Sequence, residues 1–130
     1  MPDEPRSPYQ YAIIRVVPRV ERGECLNAGV VLFSRRHGFL GARTELDEVA
    51  LNALAPDCEP AGVRAQLETL ERVAAGSPDG GPIANLDPSE RFHWLTAPSS
   101  TIVQSSAVHT GLTSDPAGEL DHLFERLVSR

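Results

Sequence analysis

The sequence predicts an α+β domain, in which helices pack on a mainly antiparallel sheet of about four strands. Three observations lead to this class. Three short segments near the start are rich in β-branched and aromatic residues and are joined by short turns, which is typical of an antiparallel meander. The middle of the chain has helical periodicity and helix-capping residues. A fourth strand-like segment then precedes an amphipathic C-terminal helix.

The chain has 130 residues, a length that suits one domain. Residues 1–8 contain three prolines and are expected to form a flexible N-terminal arm, so the single domain is expected to span 9–130. The predicted meander and the later strand occupy residues 9–17, 25–33, 39–43 and 101–108.

Four helices are predicted after the meander. Residues 44–47 resemble a capping box, which would open a short helix that Pro56 ends. The second helix is expected at 60–75, where apolar side chains recur on one helical face. Asp87 and Asp115 are each followed by proline and are expected to cap the last two helices. The apolar stripe of the final helix consists of Leu120, Leu123, Phe124, Leu127 and Val128.

Strict alternation along the first two strands divides their side chains between two faces. Leu26, Ala28, Val30 and Leu32 would share a wholly apolar face that helices cover. The opposite face is mixed but still apolar, so we expect another helix or a second subunit to cover part of it, which makes a homodimer an option. The strands can pair with residue numbers that sum to 42, which places Arg15 opposite Asn27, or with a sum of 44.

Composition excludes several classes of function. The formal charge of −6 argues against nonspecific nucleic-acid binding. The sequence has no apolar run near the length of a membrane span and no signal-peptide pattern, so a cytoplasmic location is expected. All basic residues are arginine, and the lack of lysine rules out a Schiff base and a P-loop lysine. The cysteines and histidines have no metal-binding spacing, so neither a metal nor a cofactor is predicted.

Several ordered segments carry a resemblance to a known family. They are Tyr11-Ala-Ile-Ile-Arg-Val-Val-Pro18, Arg22-Gly-Glu-Cys-Leu-Asn-Ala-Gly-Val-Val-Leu32, Arg91-Phe-His-Trp-Leu95, Ala97-Pro-Ser-Ser-Thr-Ile102, His109-Thr-Gly111, and Leu120-Asp-His-Leu-Phe124 after Asp115-Pro116. Together they cover nearly the whole chain, which resembles the bacterial domain of unknown function family 3037. Members are often encoded beside a kinase-like protein that resembles the toxin kinase HipA. The resemblance therefore implies a protein partner, and it carries over no catalytic residue.

The candidate binding residues are Arg15, Arg22, Glu24, Asn27 and His109. In the favoured interpretation, the chain is a non-catalytic protein-binding or regulatory module, and these polar residues contribute to binding or stabilise turns. In the alternative, the chain is an enzyme that acts on a phosphorylated or nucleotide-like substrate. Arg15 and Asn27 would then bind and orient the substrate, while Glu24 or His109 exchanges protons.

Two further segments are open to two interpretations. The hydroxyl-rich run Ser99-Ser100-Thr101 could surround an anion, although the simpler interpretation is the approach to a strand. Phe92 and Trp94 could form a recognition patch, although buried aromatic anchors are commoner.

Overall fold

The computed structural model describes residues 5–129, which have an α+β fold, as predicted. The strands in this range are β1 (Ser7–Val16), β2 (Leu26–Ser34), β3 (Phe39–Thr44), β4 (Val103–Ser105) and β5 (His109–Thr113). The α-helices are α1 (Glu48–Leu54), α2 (Pro60–Ala75), α3 (Pro88–Thr96) and α4 (Pro116–Leu127). All strand pairs are antiparallel, in the order β3-β2-β1-β4, and β5 also pairs with β1.

The sheet has five strands: the predicted fourth strand at 101–108 is limited to β4, and β5 follows it as a strand that was not predicted. β4 pairs with the second half of β1, and β5 pairs with its first half. Ser106 occupies the break between them: its N–H donates to the Ile13 carbonyl, and its hydroxyl accepts from the Ile13 N–H. A side-chain oxygen thus replaces a backbone acceptor where the edge strand is interrupted.

A β-bulge in β2 corrects the predicted register. From Gln10 to Ile14 the paired residue numbers sum to 43, which is neither predicted value, and at Arg15 and Val16 the sum is 42. Arg15 does lie opposite Asn27, because Ala28 is an extra residue that no residue of β1 opposes.

The bulge also makes the predicted sorting of β2 side chains wrong. Two parts of the strand contribute to the same face: Leu26 with the bulge residue Ala28, and Val31 with Phe33 after the bulge. Val30 and Leu32, which were expected to join Leu26 and Ala28, lie on the opposite face. One extra residue reverses the alternation, so both predicted faces are divided at residue 28.

Helices cover both faces of the sheet. On the first face, Ala12, Ile14 and Val16 of β1 join a core with Leu51 of α1, Leu67 of α2 and Phe92 of α3, among others. On the second face, Val30 and Leu32 form a core with Tyr9 and with Leu120, Leu123 and Phe124 of α4. Of the two covers expected for the second face, a helix is therefore present over β2.

The helix ends follow the capping residues closely. The α2 bounds are those predicted, and Gly76 ends the helix in the left-handed conformation that glycine adopts without strain. Asp87 and Asp115 accept N–H hydrogen bonds in the first turns of α3 and α4. The first helix differs, since Asp47 is its cap and accepts from the Ala50 N–H, so the expected capping box at 44–47 does not form.

The boundary of the predicted N-terminal arm is also corrected. Ser7 and Pro8 belong to β1 and pair with Thr113 and Leu112 of β5, so these two residues are part of the sheet. Residues 1–4 lie outside the described range.

Candidate functional site

The centre of β1 places three polar side chains in one row across the sheet. Arg15 lies opposite Asn27 of β2 on one side and opposite Gln104 of β4 on the other. Directly opposed residues in antiparallel strands project from the same face, which is here the second face. Two of these residues were predicted as binding residues, and Gln104 was not.

Arg15 lines a cavity of about 260 Å³, named here the Arg15 cavity. Its polar lining residues are Arg15, Ser99, Ser100, Gln104 and Ser105, and Cys25 contributes an exposed free thiol. The structure thus brings Arg15 together with the Ser99-Ser100 pair, which the sequence suggested separately as an anion cradle. The sequence alone does not predict that these two segments lie close together, because they are far apart in the chain.

Asn27 has a structural partner. Its side-chain amide donates to the carbonyl oxygen of Leu127, the last residue of α4, over 3.1 Å. The last carbonyls of a helix have no partner within the helix, so Asn27 satisfies one of them and joins β2 to α4.

Arg22 and Glu24 pair with each other at the exposed turn between β1 and β2. The Arg22 Nε lies 2.6 Å from the Glu24 Oε1. The hydrogen bond from Arg22 lowers the pKa of the Glu24 carboxyl, and the same bond raises the pKa of Arg22. A carboxylate with a lowered pKa is a weaker proton acceptor, which counts against a general-base role for Glu24.

His109 lies at a distance from the other candidates. It begins β5 opposite Tyr11, and the two ring centroids are 5.3 Å apart. Tyr11 and Arg15 are four positions apart in β1, which corresponds to roughly 13 Å along a strand. None of Glu24, Asn27 and His109 is among the described residues that line the Arg15 cavity.

A second depression, named here the β4 groove, lies on the first face between α2, α3 and β4. Its volume is about 400 Å³, and Ile14, Leu70, Trp94, Leu95, Pro98 and Val103 provide its apolar lining. No charged side chain is among the described lining residues. Ser99, Gln104 and Ser105 line both this groove and the Arg15 cavity, so the two depressions flank the same short edge strand.

The two aromatic residues of α3 have different environments. Phe92 is buried, and its ring stacks on Phe33 with centroids 5.4 Å apart. Trp94 is 44% exposed and borders the β4 groove. Each residue therefore fits a different one of the two interpretations. Phe92 is a buried anchor in the core, and Trp94 is available at the surface.

Sequence reasoning missed one polar cluster. The His37 Nδ1 lies 3.1 Å from the Ser7 hydroxyl and 3.0 Å from the Ser34 hydroxyl. Both serine side chains are buried, so a substrate in solution does not reach their oxygens. We interpret this cluster as a structural one, in which hydrogen bonds hold the start of β1 against the turn after β2.

Within residues 5–129, no group of three or more His, Cys, Asp or Glu side chains is arranged to hold a metal ion. No helix in this range has both the length and the apolar character required to cross a bilayer.

No curated protein and no solved structure matches this chain significantly. One family model does match, over residues 11–128, and it describes a protein of unknown function (DUF3037). The match includes every strand partner of Arg15 and both depressions beside β4. The chain therefore belongs to the DUF3037 family.

Proposed function

We propose that this chain is a small, non-catalytic protein-binding module with a regulatory role, and that the β4 groove is its binding surface. The observation that carries the proposal is Trp94, a large side chain that remains 44% exposed at the border of an apolar groove. Tryptophan is among the residues that contribute most to protein interfaces, because it buries a large apolar area and keeps one polar N–H.

The groove lining indicates the chemistry of the partner. Leu70, Leu95 and Val103 supply apolar contacts, and the uncharged polar groups of Gln66 and Thr69 lie at its border. An aliphatic or aromatic side chain of a partner would therefore contribute most to binding, while charged side chains would gain nothing from this lining.

The partner we propose is a HipA-like kinase in the bacterial cytoplasm, with this chain as its regulatory subunit. Support for this partner comes from the family resemblance, in which such kinases are frequent genomic neighbours. The two free cysteines are compatible with a reducing compartment.

The enzyme alternative has less geometric support. It requires Arg15, Glu24, Asn27 and His109 to converge, whereas Glu24 pairs with Arg22 and Asn27 with the end of α4. His109 contacts Tyr11 rather than the row that contains Arg15.

Co-purification with a HipA-like kinase from the same genome tests the proposal. The wild type is expected to recover the kinase in near-equal amount, and Trp94→Ala is expected to weaken the complex by about 2 kcal/mol, or roughly thirtyfold. Val49→Ser is the matched control, since Val49 is 82% exposed on α1 and is not part of the groove lining.

Equal recovery with wild type, V49S and W94A would show that the groove is not the binding surface. Failure of the wild type to bind any kinase of this type would overturn the proposed partner. Arg22→Glu adds a second test, because we expect weaker binding if the partner extends to the exposed turn between β1 and β2.

A further inference from the structure

Arg15 differs from the other half-buried arginines among residues 5–129. Arg72 donates to the Thr69 hydroxyl, and Arg91 donates to the carbonyl oxygens of Leu86, Val73 and Ala74. Arg15 makes no hydrogen bond or ion pair with a described residue, and its Nε is enclosed without an acceptor. The terminal nitrogens are not enclosed in this way, so they remain accessible from the Arg15 cavity.

An unpaired guanidinium at this position needs an explanation. Arginine stays protonated at any physiological pH, and partial burial without an acceptor removes hydration that nothing in the described chain replaces. An anion in the cavity would restore the missing interaction. The chain as a whole has a formal charge of −6, yet no Asp or Glu is among the described residues that line this cavity.

Neutral hydrogen-bond donors lie beside the guanidinium. The Ser100 side chain forms no hydrogen bond with the described chain, so its hydroxyl is available. Thr101 fixes both neighbours. Its own hydroxyl donates to the Val103 carbonyl, so the Ser99 hydroxyl donates to Thr101 Oγ1 over 2.7 Å. Gln104 Nε2 donates one hydrogen to the Thr101 carbonyl over 2.7 Å and keeps a second one. The cavity therefore combines one permanent positive charge with donors whose positions are partly fixed.

We propose that the Arg15 cavity is a binding subsite for a phosphoryl group. The planar guanidinium can donate two parallel hydrogen bonds to an oxyanion. A phosphoryl group has a third oxygen, which can accept from the Ser100 hydroxyl and from the second hydrogen of the Gln104 amide, whereas a carboxylate has only the two that arginine occupies. The volume of about 260 Å³ admits a phosphoryl group together with the atoms that carry it.

This inference goes beyond the protein-binding proposal, because Arg15 and Ser100 line the cavity and not the β4 groove, although Ser99, Gln104 and Ser105 line both depressions. The phosphoryl group can come from a phosphorylated side chain of a partner or from a free phosphorylated metabolite. Both sources present the same oxygens to Arg15, so the test includes one probe for each.

The test is a titration of the ¹⁵N-labelled chain with inorganic phosphate, with N-acetylphosphoserine amide and with glucose 6-phosphate, followed by nuclear magnetic resonance. We expect shifts at the Arg15 side chain and at the amides of Ser99, Ser100 and Gln104, with a dissociation constant of about 1 mM or tighter for the best probe. Preference for the phosphoserine probe would identify a partner as the source, and preference for the sugar phosphate would identify a metabolite.

Four variants make the test specific. Arg15→Gln is expected to weaken binding by at least about tenfold, and Ser100→Ala by about threefold. Arg36→Gln removes the same charge from an exposed arginine outside the cavity and is expected to leave binding unchanged. Trp94→Ala is also expected to bind phosphate normally, which separates this site from the β4 groove.

Two results would overturn the inference. The first is the absence of shifts around Arg15 with all three probes at concentrations well above 1 mM, about 50 mM. The second is an equal loss of affinity in R15Q and R36Q, which would show a general effect of net charge. If R15Q proves to be unfolded by its amide spectrum, S100A decides the question, because Ser100 is exposed and its hydroxyl forms no hydrogen bond with a described residue.

Discussion

Asn27 shows how a polar residue that suggests binding can have a structural role. Its amide reaches the final carbonyl of α4, so it joins the second face of the sheet to the helix that covers it. In sequence, an asparagine within an apolar strand cannot be distinguished from a ligand-binding asparagine, because its partner lies far away in the chain.

We therefore expect Asn27→Ala to lower the free energy of unfolding by about 1 kcal/mol, the usual contribution of one hydrogen bond. Urea denaturation followed by circular dichroism measures the change. Asn52→Ala is the control, since Asn52 is exposed on α1 and alanine favours helix there. Equal stability of N27A and wild type would contradict the structural role.

The pKa of Tyr9 is raised well above its ordinary value. Burial and the hydrogen bond from its hydroxyl to the Glu119 carboxylate, 2.9 Å long, raise the pKa of Tyr9 from 10.0 to about 12. The folded protein then keeps the phenol proton between these two pH values, where the unfolded chain releases it. This contribution to stability is complete below pH 10.0 and is lost as the pH rises towards about 12.

The chain has two tyrosines, so ultraviolet titration can isolate this shift. In the wild type, one phenol is expected to ionise near pH 12, and in Tyr9→Phe that step is expected to disappear. Stability measured by denaturation should also fall less steeply above pH 10.0 in Y9F. Persistence of the late step in Y9F would assign the shift elsewhere.

At the level of secondary structure, the sequence predicted helices better than strand faces. Helix α2 has the predicted bounds, because periodicity, Pro60 and Gly76 are all local signals. The bulge at Ala28 gives almost no such signal. From Ala28 to Phe33, the residues of β2 are apolar on both alternating faces of the strand, so the sequence pattern does not change at the bulge. Strict alternation was then the only guide to the faces, and one extra residue reverses it.

Gly29 is the one residue near the bulge that could have indicated it. A Cβ at this position would lie 2.8 Å from the Arg43 carbonyl and 2.9 Å from the Thr44 Cγ2, so a side chain would collide with β3. We expect Gly29→Ala to destabilise the fold by about 2 kcal/mol, because the neighbouring backbone must shift.

Gly62→Ala provides the opposite control. Gly62 lies in α2, where a Cβ would meet nothing within 4 Å. We expect alanine there to stabilise the fold by roughly 0.5–1 kcal/mol through helix propensity. Thermal and urea denaturation of both variants measure the difference in stability. A G29A variant as stable as the wild type would show that β3 adjusts to the added carbon.

Arg91 connects two helices. Its guanidinium donates to the carbonyls of Val73 and Ala74 at the end of α2 and to the Leu86 carbonyl before α3. Arg91→Met is expected to lower the free energy of unfolding by about 2 kcal/mol, because the carbonyls that accept from Arg91 would lose a charged donor. Arg36→Met is the control, as Arg36 is exposed, and equal urea midpoints for the two variants would refute this role.

For the whole molecule, the candidate site depends on contacts that local patterns cannot predict. The pairing of Arg15 with Asn27 agrees with one of the two predicted strand registers, although the pair forms because of the bulge. The approach of Ser99 and Ser100 to Arg15 depends on how the segment after α3 returns to the edge of β1. The sequence identifies Arg15 and the Ser99-Ser100 pair as separate candidates, but only the tertiary fold places them in one cavity.

The cover over the sheet also bears on whether a second subunit binds. The expectation of a second subunit arose from an apolar sheet face that needed cover, and α4 now buries Val30 and Leu32 on that face. The free edge formed by β4 and β5 remains a route to self-association, and Val108 and Leu112 are exposed along it. This edge is short and interrupted at Ser106, a feature that discourages pairing between sheet edges.

We therefore expect the 130-residue chain to be a monomer in solution, with a mass of 14.1 kDa by light scattering after size-exclusion chromatography. The groove beside Trp94 then stays open for a different protein, as the proposed function requires. A doubled mass would instead indicate that a second copy occupies the groove or the edge. In that case, Leu112→Lys would restore the monomer if the β5 edge mediates pairing, and Trp94→Ala would do so if the groove does.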